Sequence, residues 1–377
     1  MKTQARQIFI AISCLLLMAQ SGHYPQLATP YERSNFLTQF PNAFYQLDNT
    51  FALRELPNKT INALLVLEVP DIGFEWAIRH AKRDDFKSSK LYWQRYLQEV
   101  PLSQFLRLLE VLKKANRVNE MSDVAVYRAL PIYYQDWLAL HRGISPLGLS
   151  SARLSAHNII RPSSQISFSK RCINKVLLLT DHLLGLEKLN WLRLQYNQTP
   201  EPSAMSYCFS EPMYIGNVAE CSTKNEQFAH CKFELLVDAF PSLLHQADKL
   251  VVLTRNGYAN VRGNMMTLNG RSSYAVFLHE LMHFSGFEDE YPVPESKALW
   301  LCAAPGQHAP NLYVGEATSA PRGWQRSNTC NKGGLQAFKP SDEWSIMEYQ
   351  SKPLSEQYRI LWQQAVNAEY QKKRSTR

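Results

Sequence analysis

The stretch His279-Glu280-Leu281-Met282-His283-Phe284-Ser285-Gly286-Phe287-Glu288-Asp289 decides how this chain is read. As a helix, its first residues bring His279 and His283 onto one face a turn apart, so two imidazoles can grip one ion. Glu280 stands between them, placed to take a proton from a metal-bound water. Gly286 lets the backbone leave the helix through a left-handed turn and swing back. Asp289 can then supply a carboxylate as third ligand. With 10 His and 33 acidic residues in 377, a chance H-[DE]-x-x-H is expected on the order of once in fifty such chains. The surroundings must therefore carry part of the argument.

They do so in both directions. Upstream, Ala275-Val276-Phe277-Leu278 is an apolar lead-in that would bury the helix, expected over Ser272–Ser285 with Ser272 or Ser273 as its N-cap. Before it, Lys175–Leu179 and Lys249–Thr254 read as buried strands, and Tyr258–Leu268 as a further strand with a Gly break. Downstream, residues 292–343 are rich in Pro, Gly and Asn and read as a long irregular stretch. A closing helix is expected over Pro353–Lys372, with Leu354, Tyr358, Leu361, Trp362, Ala365 and Val366 on one face. The catalytic half, 171–377, is thus expected to be α+β.

The N-terminal half reads differently. Residues 22–143 are expected to be helical, with helices over Gly73–Asp84, Ser88–Glu99 and Pro101–Ala115. In the last, Leu102, Phe105, Leu106, Leu109 and Leu112 recur at three- and four-residue spacing, and Asp85 and Ser103 are candidate caps. A Ser-, Pro- and Gly-rich stretch over 144–170 reads as a linker.

Hydrophobic residues at 45% and charged residues at 20% exclude wholesale disorder. The net charge of +8 is spread. The only dense basic run is Lys372, Lys373 and Arg374 near the end, so no nucleic-acid partner is expected. Lys2 and Arg6 precede an apolar run over residues 8–19, followed by Ala19 and Ser21. That run is too short to span a bilayer and reads, over residues 1–21, as a secretory signal peptide. A secreted or periplasmic protein without stable membrane insertion is the expectation. Beyond Cys14, six cysteines remain, all after residue 171: Cys172, Cys208, Cys221, Cys231, Cys302 and Cys330. An even count in an exported chain points to disulfides, and proximity pairs Cys221 with Cys231 and Cys302 with Cys330. No CxxC pair exists to favour a cysteine-zinc site.

The motif HELMHFSGFED resembles the signature of the metzincin zinc peptidases, in which a third ligand, usually His and sometimes Asp, follows the Gly. Ser345-Ile346-Met347-Glu348-Tyr349 closely resembles the Met-containing turn beneath the zinc in the astacin and serralysin branches. Asp289-Glu290-Tyr291 shows some similarity to the bacterial IgA-cleaving metallopeptidases. The resemblance implies a mixed twisted sheet with an active-site helix and a C-terminal helix. It also implies Zn2+ held by His279, His283 and Asp289, Glu280 as the base, and Tyr349 reaching the zinc or the oxyanion. Tyr258–Leu268 would be the edge strand along which an extended peptide lies. Because the third ligand is not His, Glu290, or a distant Glu295 or Glu316, stays open in that role. In the last case Met347 is only a core residue.

The expected function is a zinc-dependent endopeptidase acting on protein or peptide substrates. A zinc hydrolase of a non-peptide amide is the first rival. A binding module that uses the metal only as a staple is the second, and Glu280 argues against it, since a structural metal needs no base.

Overall fold

The computed structural model describes residues 29–47, 53–162, 166–223 and 227–375. The expected signal peptide over 1–21 lies outside the described residues. The chain divides into two compact units, Met1–Tyr134 and Gln135–Arg377.

The first unit is helical: α1 (Pro30–Gln39), α2 (Asn58–Leu64), α3 (Pro70–Ala81), α4 (Phe86–Tyr96), α5 (Leu102–Lys114) and α6 (Val118–Tyr127). Helix α3 starts three residues before the expected Gly73, because Pro70 and its fixed φ suit the first turn. Asp85 caps α4 by accepting the Ser88 N–H at 3.1 Å, as expected. Ser103 caps nothing; Pro101 precedes α5 without a side-chain bond. Phe105, Leu108, Leu109 and Leu112 form the buried face of α5, while Leu102, expected among them, is 55% exposed. Glu75 is buried and takes charge-assisted bonds from Arg79 (3.1 Å) and Arg107 (2.7 Å).

The division falls inside helix α7 (Ile132–His141), ahead of the stretch expected to link two domains. Much of 144–170 is packed rather than linking. Leu149, Leu154 on α8 (Ser151–Ser155) and Ile159 join Leu140 around Tyr214. The Tyr214 hydroxyl donates at 2.8 Å to the carbonyls of Leu140 and Ile144. Ser, Pro and Gly set the turns here, but the spaced apolar side chains set the packing.

The second unit is built on a mixed sheet, so it is α+β. In chain order come β1 (Asn174–Thr180), α9 (Leu183–Gln198), β2 (Tyr207–Phe209), β3 (Met213–Tyr214), α10 (Phe233–Ala239), α11 (Pro241–Leu244), β4 (Lys249–Thr254), β5 (Asn260–Arg262), β6 (Met265–Asn269) and α12 (Tyr274–Phe284). The sheet order is β2-β1-β4-β6-β5, with β3 also pairing with β1. All pairs are parallel except β5 with β6. The apolar runs of β1 and β4 are buried on both faces, as parallel strands require. Val176 and Leu178 face a core shared with α9 and α12, whereas Leu177 and Leu179 face one shared with α10 and α11.

Two expectations change. Tyr258–Leu268 is a hairpin, not one strand: Gly263 turns the chain at φ +59°, and Asn260–Arg262 folds back on Met265–Thr267. The stretch 292–343 is not irregular. It holds α13 (Glu295–Leu301) and a second, antiparallel sheet of β7 (Gly306–Ala309), β8 (Leu312–Gly315), β9 (Gln325–Ser327) and β10 (Gln336–Lys339), ordered β7-β8-β10-β9. These strands are three or four residues long, too short for an alternation to register. Their small core includes Val293, Leu301, Leu312 and Val314 beside the disulfide Cys302–Cys330. Cys221–Cys231 and Cys172–Cys208 are the other disulfides among the described residues.

The chain closes with α14 (Glu356–Ser375), whose Tyr358, Trp362 and Val366 pack against α12 and the central sheet. None of the described helices is long and apolar enough to cross a membrane.

Candidate metal centre

Helix α12 presents the first two ligands. Ser273 caps it, accepting the Val276 N–H at 3.2 Å. Phe277, Leu281, Met282 and Phe284 bury one side in the core. That packing fixes the opposite stripe, on which His279 and His283 lie one turn apart. The helix ends in a Schellman motif: the Gly286 N–H reaches the His283 carbonyl at 3.0 Å and the Phe287 N–H the Met282 carbonyl at 3.2 Å. Gly286 stands at φ +80°, a conformation that costs a side chain dearly. The chain reverses and delivers Asp289 to the imidazoles.

The three side chains meet. His279 Nε2 lies 3.1 Å from His283 Nε2, and Asp289 Oδ1 lies 3.4 Å and 3.2 Å from the two nitrogens. A tetrahedral zinc with bonds of about 2.0–2.1 Å holds its ligand atoms about 3.3 Å apart. The far ring nitrogens explain why the near ones are free to ligate. His279 Nδ1 donates to the Ile346 carbonyl at 2.9 Å, and His283 Nδ1 to the Phe287 carbonyl at 2.8 Å. A carbonyl only accepts, so each neutral ring carries its proton on Nδ1 and aims the Nε2 lone pair at the common point. Asp289 Oδ1 is buried with no hydrogen-bond partner among the described residues. With both Nδ1 atoms committed to carbonyls, two Nε2 atoms and one carboxylate oxygen converge on one point that a cation can fill, and the residues fit a metal.

In the ion-free chain a proton takes the place of the cation. Burial pushes His283 down, but the hydrogen-bonding Asp289 carboxylate outweighs it and holds the ion-free imidazole up at about 9. Burial likewise opposes ionisation of Asp289, yet the two imidazoles hold its carboxyl well below the usual range. Glu280, 3% exposed, is raised by burial.

The other candidates separate cleanly. Glu290 points away from the imidazoles into the core and is fully buried. Tyr358 and Asn311 donate to its Oε1 at 2.6 and 2.9 Å, and the Ser345 hydroxyl donates to Oε2. Lys339 Nζ stands 3.9 Å away. Its own N–H bonds the Met347 carbonyl at 3.0 Å. One carboxylate thus ties the ligand loop to the second sheet, the 345–349 turn and α14. Nothing in the linear sequence signals this role, because its four partners lie 21 to 68 residues away. Glu295 and Glu316 are exposed, and among the described residues only His279, His283 and Asp289 form a metal-holding group. Met347 is fully buried and follows Ile346, whose carbonyl accepts from His279.

Tyr349 does not join them. It is 46% exposed, its ring lies 4.6 Å from that of Trp344, and it is not among the residues lining the cleft. The phenol beside the ligands is Tyr291, which lines the cleft and is raised by burial and by the adjoining Asp289 carboxylate. It lies two positions beyond the Asp289 carboxylate, so the motif's exit path, once known, is the signal that finds it.

The centre opens into a cleft of about 1130 Å3. Glu280, His279, His283 and Asp289 form its floor, and Tyr258 to Val261, leading into the edge strand β5, form one wall. Comparison of the chain with protein-family models, with curated proteins and with solved structures finds no match.

Proposed function

We propose that this chain is a secreted or periplasmic zinc-dependent endopeptidase with a metzincin-like catalytic unit. The observation that carries this reading is the 3.1–3.4 Å triangle of His279, His283 and Asp289 with buried Glu280 beside it on the cleft floor. Three protein ligands leave a tetrahedral zinc one open position, the arrangement of a catalytic rather than a structural site. When bound, zinc supplies a water acidified towards neutrality and polarises the substrate carbonyl. Three disulfides in the second unit suit an oxidising compartment.

The chain's own residues do the rest. Glu280 takes the proton of the attacking water and passes it to the departing amine. Burial raises its proton affinity, which suits a group that must both accept and return a proton. The Nδ1 bonds to Ile346 and Phe287 hold both imidazoles in the ligating tautomer through the cycle. An extended substrate lies along β5, which is at the end of the sheet order and borders the cleft. That strand-lined wall, met at Tyr258 by the Gln227 carbonyl, favours a peptide over a small non-peptide amide. The retained, buried Glu280 disfavours a mere metal staple.

The decisive experiment is metal analysis of the purified protein combined with digestion of a peptide library. One zinc per chain and hydrolysis that stops on chelation and returns with zinc are expected. Absence of bound zinc, or hydrolysis indifferent to a chelator, would sink the proposal.

A second outcome tests the phenol. Tyr291 lies beside the ligands and Tyr349 does not, so Tyr291→Phe should lower kcat by about tenfold to a hundredfold with little change in KM. Tyr349→Phe should stay within about twofold. The reverse ranking in steady-state kinetics would restore Tyr349 to the role implied by the resemblance.

A further inference from the structure

The cleft is asymmetric in charge. Among the described residues six charged side chains line it: Arg255, Arg271, Glu280, Glu288, Asp289 and Lys297. Glu280 and Asp289 belong to the metal centre. Glu288 and Lys297 form an ion pair with each other. What remains for a substrate is two guanidinium groups.

Both sit at one end of the cleft, on loops tied together. Asn269 donates from its side chain to the Gly257 carbonyl, joining the loop of Arg255 to the loop of Arg271. The same Asn269 accepts the Arg271 N–H at 2.7 Å, and its own N–H meets the Ser272 hydroxyl at 3.1 Å. The backbone that carries Arg271 is therefore pinned just before α12. Arg255 is anchored by a bond from its guanidinium to the His141 carbonyl. Arg271 is exposed, and its side chain has no hydrogen bond or ion pair among the described residues. A guanidinium held at a cleft rim with unused donors matches a carboxylate in geometry as well as charge.

We propose that the cleft selects peptides carrying a carboxylate side chain, which Arg271 binds with Arg255 beside it. This rests on the peptidase reading above and names its substrate class. An extended peptide advances about 3.3 Å per residue, so moving the acidic residue along the peptide locates it relative to the bond that is cut.

The test uses direct binding, so that it does not depend on turnover. The zinc-loaded Glu280→Gln protein is titrated with fluorescent ten-residue peptides that differ only in carrying Glu or Gln, with that position moved along the chain. At the favoured position the Glu peptide should bind about tenfold tighter. The ratio should fall below about twofold in a Glu280→Gln, Arg271→Gln double variant, and Arg271→Glu should turn the preference towards Lys. Wild-type digestion of the same series then locates the cut. Equal binding of the Glu and Gln series, or a preference that survives both Arg271→Gln and Arg255→Gln, would overturn the proposal. A Glu preference in binding with no cleavage by the wild type would sustain the carboxylate site and remove the peptidase reading instead.

Discussion

Glu280→Gln should lower kcat/KM for peptide hydrolysis by about three orders of magnitude, within the range that a positioned general base contributes. Zinc content and thermal midpoint should hold at wild-type values or rise. The reasons lie in the geometry. The ligand atoms come from His279, His283 and Asp289, none of which is altered, and the imidazoles keep their bonds to Ile346 and Phe287. Glu280 is 3% exposed and burial penalises its charge, so a neutral isostere costs the fold nothing. Only the proton acceptor goes. Steady-state kinetics with metal analysis on the same sample checks this. Turnover near wild type would remove Glu280 from the mechanism, and loss of zinc would mean that it supports the ligands instead.

Glu290→Ala should cost the second unit about 3–5 kcal/mol, the range for breaking a buried charged network. The substitution strands the hydroxyls of Ser345 and Tyr358 and the amide of Asn311, all buried or nearly so, and leaves Lys339 with Glu348 as its remaining carboxylate partner. At about 2–4 °C per kcal/mol for a unit of this size, the unfolding midpoint should fall by roughly 6–20 °C. Asp289→Ala should do the opposite. It removes a metal ligand and its contacts with the two imidazoles but leaves the Glu290 network intact, so the metal-free fold survives with a smaller loss, while zinc is lost to dialysis against a weak chelator. Melting curves in chelator and zinc content after dialysis separate the neighbours. If Asp289→Ala unfolds the apo-protein while Glu290→Ala merely loses zinc, the two roles have been exchanged.

The pair also marks how far local sequence reaches. Asp289 was legible because it is a local matter. Helix periodicity aligns His279 with His283, and a glycine at C′ dictates a reversal within three residues. The same locality made β1, β4, α12 and α14 readable, since each carries its pattern within its own span. It also suggested two of the disulfides, where 10 and 28 residues separate the partners. Glu290, one position on, was not legible. Its chemistry is set by Asn311, Lys339, Ser345 and Tyr358, which only the closed fold brings to it.

Other features required the same closure. The strands of the second sheet hold three or four residues each, and pairing between them defines them more than their own composition does. The hairpin at Gly263 needed β6 to run parallel to β4 before β5 could fold back as the edge. Only Tyr349 was expected at the centre; its ring packs against Trp344, while Tyr291, two positions beyond Asp289, lines the cleft. The sequence by itself determined the two-histidine helix, its glycine-directed exit and the buried strands before it, because those follow from periodicity and backbone stereochemistry over a few residues. Tertiary structure alone decided which carboxylate ties the core, which phenol faces the centre and where the unpaired charge lies. Those depend on groups far apart in the chain whose meeting is fixed only when burial and hydrogen bonding are satisfied together.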